Sequence, residues 1–361
     1  MTRAFTADRR RLTALRLTAQ GISSRRFASA VDVVRHLTAM QAQDFGGAKW
    51  SIALRTEGTT ETQVEAAIAN REIVRSWPVR GTLHFTAAED LGWMLALTGE
   101  RTIRSAAGRH RQLGLDEEHF DCARGIAERL LEGGRTLART QLLAAFAEAG
   151  IDIGENRGNH LLQYLSCQGL LVFGPVEGKA QTLTLLDEWV PNPRALDADE
   201  ALAEWSLRYF LSHGPATLRD FAWWSSLTLT DARRGLAAVR SQLELIDIDG
   251  VEYWHSPGLE PAAPAVRALP GFDEYVLGYQ DRSAQLAAEF AATIVPGGNG
   301  MFLSTVVVNG EIIGTWRRTS TTKQVSVELV PFVDLNARAR AGTVKELERY
   351  ARYLNRPVLL V

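Results

Sequence analysis

The chain has 361 residues, 46% of them hydrophobic and 23% charged, with 40 basic and 42 acidic side chains and a formal net charge of −2. That balance excludes a disordered or low-complexity chain. No apolar run approaches the roughly 20 residues that cross a bilayer, and the length suits about two to three average domains.

The stretch from Met1 to Gln20 carries Arg3, Arg9, Arg10, Arg11 and Arg16 without an apolar core, so no secretory leader is expected. Cys122 and Cys167 have no paired or CxxC spacing. They point away from a disulfide framework or a zinc site and toward a reducing cytoplasm. Local charge says more than the total. The first 40 residues hold eight arginines against Asp8 and Asp32. Arg101, Arg104, Arg109 and Arg111 form a second cluster, and Arg317, Arg318 and Lys323 a third. Only Lys49, Lys179, Lys323 and Lys345 among the 40 basic residues are lysine. Arginine is the better bidentate phosphate ligand, although a GC-rich genome favours it equally.

Residues 8–20 read as a helix with Leu12, Leu15 and Leu17. Ser29-Ala30-Val31-Asp32 is a capping box that opens a helix ending near Met40. A third helix is predicted over Thr62 to Ser76 and a strand over 79–86. Helix, helix, helix, strand is the order of a winged helix. It recurs as helices over 118–132, 137–149 and 157–168, then a hairpin of Leu170–Phe173 and Thr182–Leu185. It recurs again as helices over 198–212, 218–226 and 230–240, the second behind the capping box Thr217–Asp220. The third hairpin turns at Asp249-Gly250. A Pro/Ala linker, 257–270, leads to strands about Asn309-Gly310, a strand over 324–330, a helix over 342–353 and a last strand over 358–361. The expected fold is α+β: three tandem winged helices (1–115 with the candidate site, 116–195 and 196–256) followed by a linker and a small curled sheet or β-barrel (257–361).

Arrayed winged helices suit a grip on duplex DNA, with helices in the groove and wings on phosphates. Within the first copy, Gln41 and Gln43 are two apart. On a helix they diverge by about 200°, whereas on extended backbone they face the same way. Gly46-Gly47 suggests a chain break just beyond. From spacing alone, two such glutamines read first as solvated side chains at a helix end. Arg80 and His84 alternate on one face of the predicted strand, where His84 either touches DNA or is a satisfied core residue. Lys49 reads as a phosphate contact or a surface charge, and Trp223 and Trp224 as core. No histidine spacing suits a metal, and no Walker or Rossmann glycine pattern occurs, so neither metal nor cofactor is expected.

The Gln41-Ala42-Gln43 run resembles the catalytic Q-Φ-Q motif of the AlkZ-like winged-helix DNA glycosylases. So do Trp77-Pro78-Val79-Arg80-Gly81-Thr82-Leu83-His84, the run from Leu269-Pro270-Gly271-Phe272-Asp273-Glu274 to Tyr279, and Val308-Asn309-Gly310-Glu311 to Arg318 resemble stretches of the same family. The resemblance spans nearly the whole chain. It implies a C-shaped array of three winged helices with a C-terminal β-barrel, and catalytic roles for Gln41 and Gln43. In the YcaQ branch an aspartate replaces the second glutamine; Gln43 sets this chain nearer the crosslink-unhooking branch.

The chemistry suits these side chains. A purine alkylated at N7 or N3 is cationic and already a good leaving group, so its loss needs a positioned water and stabilisation of an oxocarbenium-like sugar. A carboxamide oxygen serves both ends, although it does not titrate and is no general base. The expected activity is monofunctional hydrolysis of N7-alkylguanine-type nucleotides in double-stranded DNA, interstrand crosslinks included among the candidates. Arg80, His84, Asn309, Arg317, Arg318 and Lys323 are the candidate DNA contacts, with the Asn309 hairpin probing the minor groove. A monomer without membrane association is expected. The competing classes are a non-catalytic winged-helix DNA-binding protein or regulator, and a protein-interaction scaffold.

Overall fold

The computed structural model describes residues 6–23, 27–178, 180–321 and 323–360. Arg3, Arg25, Arg26, Lys179, Thr322 and Val361 lie outside the described residues. No helix among the described residues is long and apolar enough to cross a membrane.

Helix α1 (Ala7–Ala19) buries Leu12, Leu15 and Leu17. Helix α2 (Ala30–Leu37) begins as its sequence predicts, with the Ser29 hydroxyl oxygen accepting the Asp32 N–H at 3.2 Å. It ends earlier than Met40, at Thr38, and the chain enters strand β1 (Ala39–Gln41). Helix α3 (Phe45–Ala53) then follows where Gly46-Gly47 suggested a break. Here glycine answers a packing need: a Cβ on Gly47 would lie 2.4 Å from the carboxylate of Asp44, which caps the helix.

The helix expected over 62–76 divides in two. Helix α4 (Glu61–Ala69) gives way at Arg71, whose φ is 65°, and β-branched Ile73 and Val74 open strand β2 (Ile73–Val79). Arg80 and Gly81, at φ 52° and 62°, then turn the chain into strand β3 (Thr82–Ala87). Arg80 is thus a turn residue and not part of the predicted strand. The 22-residue helix α5 (Leu91–Gln112) lies where no element is predicted. Its apolar first half and arginine-rich second half share no continuous stripe.

The second recurrence keeps its expected order: α6 (Glu117–Leu131), a short β4 (Leu137–Ala138), α7 (Arg139–Glu148), α8 (Arg157–Cys167), then β5 (Leu171–Glu177) and β6 (Ala180–Leu185). Leu137 of β4 pairs with Leu183 of β6, tying the first connection to the hairpin. A short α9 (Leu186–Trp189) ends this stretch. The third recurrence follows as α10 (Ala198–His213), α11 (Leu218–Ser225), α12 (Leu229–Val239), β7 (Glu244–Ile248) and β8 (Val251–His255). Thr217 and Asp220 cap one another as expected, and Asp249 and Gly250 turn at φ 54° and 77°.

Beyond the linker come β9 (Val266–Leu269), α13 (Glu274–Leu277), α14 (Ala291–Ile294), β10 (Ser304–Val308), β11 (Glu311–Ser320), β12 (Val325–Pro331), α15 (Ala337–Leu354) and β13 (Val358–Leu360). These strands form one sheet in the order β13-β12-β11-β10-β9. Among the described residues β13 and β9 are its edges, so of the expected curled sheet or barrel it is a partly curled, open sheet that is present.

Two compact units emerge, in a mixed α+β fold. One holds residues 1–64 with 202–361, the other 65–201. Within the second, β3, β2, β5, β6 and β4 neighbour one another in that order, and α6, α7 and α8 enclose a core around Phe120, Phe146, Leu161 and Leu165. The first buries Trp50, Trp205, Trp224 and Trp316. Burying an aromatic of this size removes roughly 150–250 Å² from water.

Candidate active site

The pair lies where α2 gives way to α3. Thr38 sits at φ 69°, ψ −55°, a region costly for a β-branched residue, with its hydroxyl buried and unbonded. This turn swings the chain off α2 into β1. Gln41 ends β1 and is 8% exposed, Ala42 is fully buried, and Gln43 is exposed in a bend. The backbone is extended through Gln41 but bends at Gln43, so the extended run over both glutamines that would turn them the same way is not kept. The two side chains differ in environment: one is set into the protein and the other reaches solvent.

Beneath Gln41 lies a buried polar layer built from the Leu269–Tyr279 run. The Gln41 N–H donates to Glu274 Oε1 at 2.9 Å, and the Trp224 indole N–H to Glu274 Oε2 at 2.8 Å. His213 Nε2 lies 3.5 Å from the same Oε2. Asp273 takes two 2.9 Å bonds from the guanidinium of Arg55 and one of 2.6 Å from the Ser51 hydroxyl. Gln20 Nε2 joins the two halves, donating to the Glu274 carbonyl and to the Tyr279 hydroxyl at 3.1 Å each. Burial pushes the Tyr279 hydroxyl far above its ordinary range, so it stays a neutral donor, here to the His213 carbonyl at 2.7 Å. A buried ion pair of this kind tolerates desolvation only because its remaining atoms are bonded.

Asp44 holds the other end of the segment. It accepts the Gly47 N–H at 3.0 Å and takes Arg318 Nη2 on both oxygens, at 2.8 and 2.7 Å. Arg318 also donates to the Tyr350 hydroxyl at 3.3 Å. Burial works against the Arg318 charge, but Tyr350 and Asp44 more than offset it and hold the guanidinium protonated.

The structure sorts the remaining candidates. Arg318 turns inward to Asp44, while Arg317 and Lys323 are exposed near the β11–β12 turn. Asn309 is exposed at φ 51°, but its partner Gly310 is buried: a Cβ there would strike Thr13 at 2.5 Å, and its carbonyl accepts the Tyr275 hydroxyl at 2.7 Å. That turn is seated on α1 through Gly310, with Asn309 left at the surface. Arg80 and His84 belong to the other unit. His84 is fully buried, with Nδ1 2.9 Å from the Thr82 carbonyl oxygen and Nε2 3.4 Å from Arg80 Nη2, so its core reading is the one met. Lys49, read as a phosphate contact or surface charge, is 4% exposed, paired with Glu61 at 2.8 Å and set over the Phe45 ring. Trp224 is core, as expected, but also bonds Glu274. Glu274 has no role that the sequence by itself suggests. The available signal was two adjacent acids, Asp273 and Glu274, in an otherwise apolar run. Among the described residues no group of three or more His, Cys, Asp or Glu is placed to hold a metal.

The segment is braced at both ends, by Glu274 and by Asp44, and its carboxamides offer hydrogen bonds and dipoles but no titratable proton. The chain belongs to the DNA glycosylase AlkZ-like family, which matches residues 34–353. It is 27% identical over 366 aligned positions, 96% of each chain, to an interstrand DNA cross-link repair glycosylase of Streptomyces sahachiroi. Its fold matches the solved structure of the Streptomyces sahachiroi DNA glycosylase AlkZ with a TM-score of 0.80 and 25% identity, over 99% of this chain and 100% of that one.

Proposed function

We propose that this protein is a DNA glycosylase that hydrolyses the N-glycosidic bond of cationic N-alkylpurines in duplex DNA, N7-alkylguanine above all, interstrand crosslinks among them. Gln41 and Gln43 hold the attacking water at C1′ and turn their carbonyl dipoles to the developing sugar cation. The observation that carries this reading is the environment of the pair. Gln41 is set firmly in the protein while Gln43 stands exposed beside it. The reading is further supported by the near full-length likeness to a protein named for cross-link repair.

The helix–helix–hairpin recurrences serve as winged helices on the duplex, with Arg317 and Lys323 on phosphates. Hydrolysis is monofunctional: Lys49, the lysine nearest the pair in sequence, is engaged by Glu61 and does not attack C1′. Because Gln43 is exposed, the lesion need not be enclosed in a base-sized cavity, so bulky N7 adducts are accepted and uracil or hypoxanthine, which are neutral, react slowly. The protein acts as a monomer in the cytoplasm.

The test is incubation with a duplex carrying N7-methylguanine, then with one carrying a bulky N7 adduct, followed by hot alkali. Strand cleavage at the lesion is expected in both. Absence of cleavage with intact duplex binding would leave a DNA-binding protein without catalysis.

A further inference from the structure

Gln41 cannot aim itself. It follows Thr38, whose backbone conformation is held against an intrinsic preference, and such strain persists only where surrounding structure fixes it. At the last residue of β1 the Gln41 N–H donates to Glu274 Oε1, a bond 2.9 Å long across 233 positions of sequence. Glu274 is 1% exposed. Its second oxygen is steadied by the Trp224 indole at 2.8 Å, its carbonyl by Gln20, and His213 Nε2 stands 3.5 Å away, itself set by Ser212 at 2.8 Å. Both carboxylate oxygens face N–H donors, which suits the ionised form.

We infer that Glu274 is the positioning residue of the glutamine pair: its carboxylate fixes the Gln41 peptide, and so the direction of the Gln41 carboxamide. This role rests on the proposed glycosylase reading of Gln41. It adds that the site depends on a residue outside the Q-Φ-Q run.

The experiment compares single-turnover base release from an N7-methylguanine duplex by the native chain, Gln41→Ala, Glu274→Gln and the double variant. Duplex affinity and thermal melting are measured on each. In Glu274→Gln the amide NH₂ must face one of two N–H donors, so one bond and the charge are lost. A misplacement near 1 Å costs on the order of 10²-fold. The expected result is a rate lower by roughly 10–100-fold with duplex affinity within about twofold, and a double variant no slower than Gln41→Ala alone. Non-additivity of this kind marks two residues acting through one another.

A native rate in Glu274→Gln, or losses that multiply in the double variant, overturns the inference. So does a lowered melting temperature with an unchanged rate, which is a purely structural role. If Glu274→Gln does not fold, Glu274→Asp keeps the charge and withdraws it by one methylene; it should lose part of the rate, and a native rate there is equally fatal. Should the native chain release no base at all, the glycosylase reading fails by itself. Hydrogen exchange at the Gln41 amide then decides the anchoring: slow in the native chain and faster in the Glu274 variant is expected, and equal exchange overturns it.

Discussion

Arg318 Nη2 bonds both carboxylate oxygens of Asp44 across 274 positions of sequence, at 2.8 and 2.7 Å. This contact joins the β11 strand to the start of α3, one residue beyond Gln43. Asp44 is therefore a helix cap and an ion-pair partner at once. Loss of a capping side chain costs about 1 kcal/mol. With side-chain exposures of 22% and 37% the ion pair is partly screened, and contributes about 1 kcal/mol at most. Asp44→Ala should thus lower stability by about 1–2 kcal/mol, and Asp44→Asn, which still caps, by about half that. Urea unfolding of the two variants checks this; equal losses would mean that the ion pair, not the cap, dominates.

Gln41→Ala and Gln43→Ala should each slow base release by about 10² or more while leaving duplex affinity nearly intact, since neither is a phosphate ligand. Their stabilities should differ, because Gln41 is buried and Gln43 exposed. Melting temperature should fall for the first and stay put for the second. Single-turnover assays and anisotropy titrations measure the two effects separately. Full activity in the double variant would remove the catalytic assignment.

Duplex affinity should fall steeply with salt although the net charge is −2. With about four to six phosphates neutralised, the log–log slope should lie near −4 to −5. Exposed Arg317 and Lys323, replaced singly by alanine, should each reduce that slope by about one. Arg318→Ala should leave it unchanged, because its guanidinium is committed to Asp44. A flat salt series would exclude a grip on the phosphate backbone.

His110 and His160 make the unit of residues 65–201 acid-sensitive. Their rings lie 5.2 Å apart beside Phe120 and Tyr164, with His110 Nε2 and His160 Nδ1 buried and unbonded. Burial, with each ring's cationic neighbour (His160 for the first, Arg109 for the second), pushes both below the ordinary histidine value of 6.5. The folded state therefore holds fewer protons than the unfolded chain once pH falls below about 6.5, and stability is lost as pH falls further. Above that value both rings are neutral in either state and the effect vanishes. Urea midpoints should be level from pH 8 to 7 and decline toward pH 5, and His110→Phe should flatten the decline.

Signals that act within a few residues were legible in the sequence. The Ser29 cap and the Thr217–Asp220 box depend on side chains meeting their own backbone, and the turns at Asp249-Gly250 and Asn309-Gly310 on residues that adopt positive φ; each stands where the residues place it. Tertiary structure decided the rest. Gly46-Gly47 lies inside a helix because Asp44 caps it, with Gly47 leaving the room its carboxylate needs, and Ile73 leaves its predicted helix because Arg71 turns at positive φ and the strand has neighbours to bond. Arg318 became a clamp and Lys49 a buried ion when folding brought Asp44 and Glu61 to them. Nothing in the residues around Glu274 marks it as an anchor. A carboxylate comes to hold Gln41 only when 233 positions of chain close and water is removed from around both, and no pattern within either segment encodes that closure.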